Sequence, residues 1–190
     1  GIAKRTPEYL RKKMDENKAI IALTTTNELV GFCYLETWNE NKYVVNSGLI
    51  VHPDFRGTGA GTKIKSKAFE HSRKKYPQSK LFGLTTSLPV MKINSDLGYR
   101  PVTYDNLTSD EAFWSGCQSC VNYQVLLSKE RKNCLCTAML FDPKGKSDKR
   151  WNFIKKSKLY ARYMEMKKNR MLKKLNGNKL NFSALKLFGL

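Results

Sequence analysis

The sequence predicts an α/β (α+β) fold: a mixed central sheet flanked by helices, followed by a basic helical C-terminal extension. Three observations carry this expectation. The β-rich runs 19–23 and 29–38 are joined through Thr26-Asn27-Glu28, a turn short enough for an antiparallel pair. A third run, 43–51, ends in Val51-His52-Pro53-Asp54-Phe55-Arg56-Gly57-Thr58-Gly59-Ala60-Gly61 and gives way to helical spacing at Ile64, Ala68 and Phe69. Beyond Pro77, residues 81–86 form a further strand, parallel to 43–51 because a helical crossover joins the two.

Each element has a local reason. Thr6-Pro7-Glu8 starts a helix with a hydroxyl cap, a proline at the first helical position and an acid near the positive helix end. Leu10 and Met14, four apart, give it a buried stripe up to Asn17. The stretch 39–42 connects the second strand to the third. The helix after the glycine-rich turn runs to about Lys75 and breaks at Tyr76-Pro77. Ser87 and Pro89 open a second helix over 90–97, which Gly98 terminates, and 99–102 begins another strand. Residues 105–142 are less typical.

Composition divides the chain. Residues 143–190 hold 15 Lys or Arg against Asp148 and Glu165, so +13 of the net +19 lies there and +6 in residues 1–142. The expected boundaries are a domain over 1–142 and a basic extension over 143–190. Within the extension, 151–175 interleaves Ile154, Leu159, Tyr160, Tyr163, Met164, Met171 and Leu172 with Lys and Arg, as a long amphipathic helix would. Such a helix could dock on the core or on a second subunit in a homodimer, grip nucleic acid or lie on anionic lipid; docking is the favoured use. No run of about 18 apolar residues occurs, and no leader pattern stands near the N-terminus, so a soluble, cytoplasmic protein without a transmembrane segment is expected.

The glycine-rich turn is suited to phosphate. Without Cβ atoms at 57, 59 and 61, main-chain N–H groups can approach an anion, and the first helical turn carries partial positive charge. A Gly-x-x-x-x-Gly-Lys-Ser/Thr loop is absent, and the dinucleotide pattern Gly-x-Gly-x-x-Gly fails where Lys63-Ile64 follow Gly61. Arg56-x-x-Gly59-x-Gly61, preceded by Val51-x-Pro53-x-Phe55, closely resembles motif A of the GCN5-related N-acetyltransferase (GNAT) superfamily. Met91-Lys92-Ile93-Asn94-Ser95-Asp96-Leu97-Gly98-Tyr99 resembles the GNAT segment that usually ends Leu-Gly-Phe. Together these resemblances cover roughly residues 7–104, about half the chain.

The resemblance implies a GNAT fold whose parallel strand pair splays apart, and an N-acyltransferase that takes acetyl-CoA or another acyl-CoA as co-substrate. Arg56, Gly57, Thr58, Gly59, Ala60 and Gly61 would hold the pyrophosphate. The main chain of Leu49, Ile50 and Val51 would pair with the pantetheine arm, and an N–H from that strand would polarise the thioester carbonyl. Ser87 and Asn94 would lie against the cofactor, and Thr85 and Thr86 near the substrate. The family's first strand and helix have no clear counterpart before Thr6.

Acyl transfer to an amine also needs a proton for the departing thiolate and a route for the proton that the amine loses. Where the family commonly has a tyrosine acid this chain has Asn94, a catalytic candidate that cannot supply that proton but could orient the sulfur or a water. Positions where a basic carboxylate is common fall at Asn46, Ser47 and Phe82. Glu36, on the strand beside 43–51, is the candidate acceptor of a proton, directly or through water, against the alternative of a solvated strand face. His52 is expected near the cofactor and His71 on an exposed helix face.

Cys117-x-x-Cys120 and Cys134-x-Cys136 have spacings that suit tetrahedral zinc in principle, yet ordinary burial of thiols on a strand is favoured and no metal is expected. A narrower resemblance, through residues 48–53, 92–99, Phe113-Trp114-x-Gly-Cys-Gln-Ser-Cys and 128–134, is to a bacterial GNAT subgroup associated with arginine biosynthesis. It implies an N-acylglutamate synthase-like enzyme acting on an amino acid, with an acetyl or succinyl donor and Arg100, Arg131 and Lys132 as candidate carboxylate ligands. The alternatives are acetylation of a protein or peptide amine, and a non-catalytic CoA-sensing or nucleic-acid-binding module.

Overall fold

In a computed structural model, residues 5–145, 162, 165–166 and 186–189 are described. The chain opens with α1 (Pro7–Asp15), where the Thr6 side chain accepts from the Tyr9 N–H at 3.2 Å. There follow β1 (Ala19–Leu23), β2 (Leu29–Trp38), β3 (Tyr43–Val51), α2 (Ala60–Lys75), β4 (Lys80–Thr85), α3 (Leu88–Asp96), β5 (Arg100–Pro101), α4 (Glu111–Ser115), α5 (Tyr123–Ser128), β6 (Thr137–Phe141) and β7 (Lys186–Gly189). The sheet order is β5-β6-β4-β3-β2-β1-β7. β3 and β4 are parallel and the other neighbours antiparallel, which makes the sheet mixed as expected.

Strand periodicity divides the core between the two faces of this sheet. On one face Ile20, Cys33, Leu35, Val44 and Leu81 pack with Ile64 and Ala68 of the crossover helix α2. On the other, Tyr9, Leu10 and Met14 of α1 cover Ala19, Phe32 and Tyr34. Farther along that second face Val45 and Phe82 pack with Tyr104, Trp114 and Leu126. Phe113 closes this cluster edge-on, its ring centroid 5.0 Å from that of Phe82 and 5.6 Å from that of Trp38. Residues 104–128 therefore complete the core, although their sequence pattern is the least regular in the domain.

Three differences from the sequence expectations are physical. The strand expected over 99–102 is only Arg100–Pro101. Pro101 has no N–H for a ladder, so the strand remains a short edge piece against Leu140 and Met139. Cys134 and Cys136 precede β6 instead of lying on a strand. Lys186–Gly189, inside the segment expected as a helical extension, pairs with β1 at the sheet edge. The amphipathic helix expected over 151–175 lies outside the described residues apart from 162, 165 and 166, which are helical.

Candidate functional site

β3 and β4 are hydrogen-bond neighbours only over Tyr43↔Lys80, Val44↔Leu81 and Val45↔Phe82. Beyond Val45, β3 stays with β2 while β4 follows β6, and the strands part. A bulge contributes to this bend. The β2–β3 register passes from Phe32↔Ile50 to Tyr34↔Ser47, so Cys33 alone faces Gly48 and Leu49. Gly48 has φ +62°, and a Cβ there would lie 2.2 Å from Tyr34 Cε1, so the bulge requires glycine.

The parted strands enclose a cleft of about 380 Å³. Among the residues expected at a site, Leu49, Thr85, Thr86, Ser87 and Asn94 line it together. Ile50, Val51 and the turn over 56–61 continue from the same strand but lie outside the lining. At the turn Gly59 caps α2 with φ +91° and makes no side-chain hydrogen bond, leaving the N–H groups of the first helical turn uncapped. A Cβ on Gly57, φ +75°, would meet nothing within 4 Å, so the turn opens onto free space. Arg56 Nε donates to Val51 O at 3.1 Å, fastening the turn to the end of β3, and the Thr58 hydroxyl donates to Phe55 O at 2.6 Å. Ala60 is buried beneath it. Together these features brace a loop that leads into a helix start without a side-chain cap, the kind of main-chain setting that suits an anion.

Within the cleft, Asn94 is 1% exposed. Its Nδ2 has only a 3.8 Å contact to Met139 Sδ, and its Oδ1 has no hydrogen-bond partner. A buried amide this poorly satisfied is costly unless a ligand completes it. Glu36 is also buried, so the solvated-face alternative does not hold. Its carboxylate accepts from the Tyr9 hydroxyl and, at 2.7 Å, from Ser47 Oγ, and lies 3.7 Å from Arg5. Glu36 does not itself line the cleft; Ser47 stands between them. The Thr85 hydroxyl accepts from the Ser87 N–H at 3.0 Å, a turn-forming role that leaves its proton free to donate.

The cleft also contains groups that the sequence reasoning missed: Arg5, Tyr34 and Lys65. Lys65 is 3% exposed and its Nζ donates to Asn46 O at 2.8 Å. Burial pushes its ammonium below the usual lysine range. The available signal was a cation in a core-facing helical stripe, Ile64-Lys65 followed by Ala68 and Ser72.

The acetyltransferase (GNAT) family model matches residues 3–89, the span that holds the strand pair, the turn and the crossover helix. The GNAT family match thus covers rather less than half of the chain. Its fold is similar to that of N-acetylglutamate synthase from Neisseria gonorrhoeae complexed with coenzyme A and N-acetyl-glutamate: 19% identity, 76% of this chain, 29% of that one, TM-score 0.53. It is also similar to Rv2747 from Mycobacterium tuberculosis in complex with CoA and NLQ: 17% identity, 74% of this chain, 84% of that one, TM-score 0.54. At these identities the likeness is one of fold. The chain thus spans less than a third of the synthase and most of Rv2747. No curated protein matches it significantly.

Other candidate residues lie elsewhere. Arg131 and Lys132 are outside the cleft lining, paired with Glu111 at 2.7 Å and Glu130 at 2.6 Å respectively. Arg100 is on the edge strand β5, also outside that lining. His52, half-exposed, lies 3.7 Å from Asp54, and His71 bonds Asn17 O at 2.9 Å, tying α2 to the end of α1. Cys117, Cys120, Cys134 and Cys136 are free thiols around a second cavity of about 30 Å³. Among the described residues no group of three or more His, Cys, Asp or Glu is arranged to hold a metal ion. Nor is any described helix long and apolar enough to cross a membrane.

Proposed function

We propose that this protein is a GNAT-family, acyl-CoA-dependent N-acyltransferase acting on a primary amine by direct attack on the thioester. The observation that carries this reading is the order of features along one segment: β3 forms a wall of the cleft and leads, through the turn over 52–59, to an uncapped, glycine-built helix start. A long donor with a phosphate-bearing end and a reactive thioester end needs those two features in that order. Arg56, Gly57, Thr58, Gly59, Ala60 and Gly61 receive the pyrophosphate through main-chain N–H groups. Leu49, Ile50 and Val51 offer main chain to the pantetheine arm, while Ser87 and Asn94 border its inner end. CoA in the fold-similar Neisseria and Mycobacterium structures supports the same reading.

Thr85 and Thr86 bound the acceptor side, and Glu36 receives the amine proton through the Ser47 hydroxyl that bridges it to the cleft. A small amino acid such as glutamate is the favoured acceptor, with acetyl or succinyl as the transferred group. The narrower sequence resemblance and the cationic cleft residues Arg5 and Lys65 support it. Asn94 in place of a tyrosine acid favours a second reading, a CoA-sensing module without turnover.

Thiol release from acetyl-CoA and succinyl-CoA across an amine panel that includes glutamate separates the two. Acceptor-dependent release is expected. CoA binding without release on any amine would favour the sensing module.

A further inference from the structure

Lys65 is a buried cation with an incomplete set of partners. At the point where β3 and β4 part, the main-chain oxygen of Asn46 loses the neighbouring strand, and the Lys65 ammonium takes its place as donor. That accounts for one of three N–H donors. Among the described residues no carboxylate pairs with it, and the ionisable group that faces it is the Cys33 thiol of β2, itself fully buried and pushed upward by burial. Burying an ammonium without a counter-ion is costly, and apolar side chains would fill this position more cheaply. The cleft that Lys65 lines is therefore incomplete without a negative partner.

The remaining cleft lining offers few other acids, and the Tyr34 phenol among them is pushed upward by burial and held by Arg5. Arg5 lies against Glu36 and is hydrogen-bonded to Tyr34, and a guanidinium does not release its proton. Burial and neighbouring thiols push the Cys136 thiol up to about 11. Asn94 has no acidic proton.

We infer that Lys65 is the catalytic residue that receives the leaving sulfur of the acyl-CoA. This rests on the acyltransferase reading above. The amine nitrogen forms a bond to the thioester carbon, and the carbon–sulfur bond breaks with its electron pair on sulfur. The ammonium hands one proton to that sulfur, and the proton shed by the amine, received by Glu36 through Ser47 and returned by way of water, restores the ammonium. Before transfer, the charge stabilises the developing thiolate from a side chain that is itself buried.

The test needs no knowledge of the acceptor. CoA and desulfo-CoA, which lacks the sulfur, are titrated calorimetrically into the full chain between pH 6 and 8.5. A free thiol ionises near 8.5, so a cation at the sulfur should make CoA the tighter ligand by about tenfold at the upper end of this range. Lys65→Met should remove the difference while leaving desulfo-CoA affinity within about twofold, since that factor is only a fraction of one pKa unit. Lys65→Gln, which keeps a donor for Asn46 O, serves the same comparison if the Met variant fails to fold. An unchanged CoA preference in a folded variant, or no preference in the parent chain, would overturn the role of Lys65 and leave the acyltransferase reading intact. Failure of the parent chain to bind either ligand would overturn both.

Discussion

Gly48 and Tyr34 stand in a relation that tolerates no side chain at position 48: a Cβ would lie 2.2 Å from Cε1 and 2.8 Å from Cδ1 of the ring. The ring lines the cleft, and Gly48 is one of two residues opposite Cys33 in the bulge. Gly48→Ala should therefore cost stability twice, about 1–3 kcal/mol for a left-handed non-glycine residue and more for the clash. Denaturant unfolding measures the loss. Tyr34→Ala in the same chain should recover the clash part only, because φ +62° remains.

The Tyr9–Glu36–Ser47 chain links α1 to the cleft through a buried carboxylate. Tyr9→Phe removes a donor to a charged acceptor and should cost about 1.5–3 kcal/mol. In a Glu36→Gln background the same change should cost less. A double-mutant cycle by chemical denaturation reads the coupling; additive losses would show that the pair does not act as a unit.

Thiol crowding around the second cavity sets a pH dependence. Burial first, and then Cys134, Cys120 and Cys117, raise the Cys136 thiol from 9.0 to about 11. Between those values the unfolded chain releases a proton that the folded chain retains. The Cys136 contribution is therefore complete below about pH 9 and lost as pH rises towards 11. Melting temperature should fall more steeply across that window in the parent chain than in Cys136→Ser. Parallel slopes would contradict the assignment.

What the sequence makes legible is what local chemistry decides. The Thr6 cap and the crossover direction follow from neighbouring residues, and both expected features appear. The cleft interior is less legible because its neighbours come from distant segments. Arg5 reaches Glu36 across 31 positions and Lys65 reaches Asn46 across 19. No periodicity announces either contact. Residues 104–128 likewise show their role only in tertiary packing, where Phe113 and Trp114 meet Phe82 and Tyr104. The Cys-x-Cys pair misleads because Thr137, immediately after it, is where pairing with β4 begins.

Acetyl-CoA titrated by calorimetry into the parent chain and into Gly59→Trp tests the central claim most directly. The indole would stand at the capping position of α2, where main chain must meet pyrophosphate. Saturable binding to the parent chain, and its loss in a variant with an unchanged circular dichroism spectrum, is the expected result. No binding to the parent chain, or equal binding to both, would contradict it.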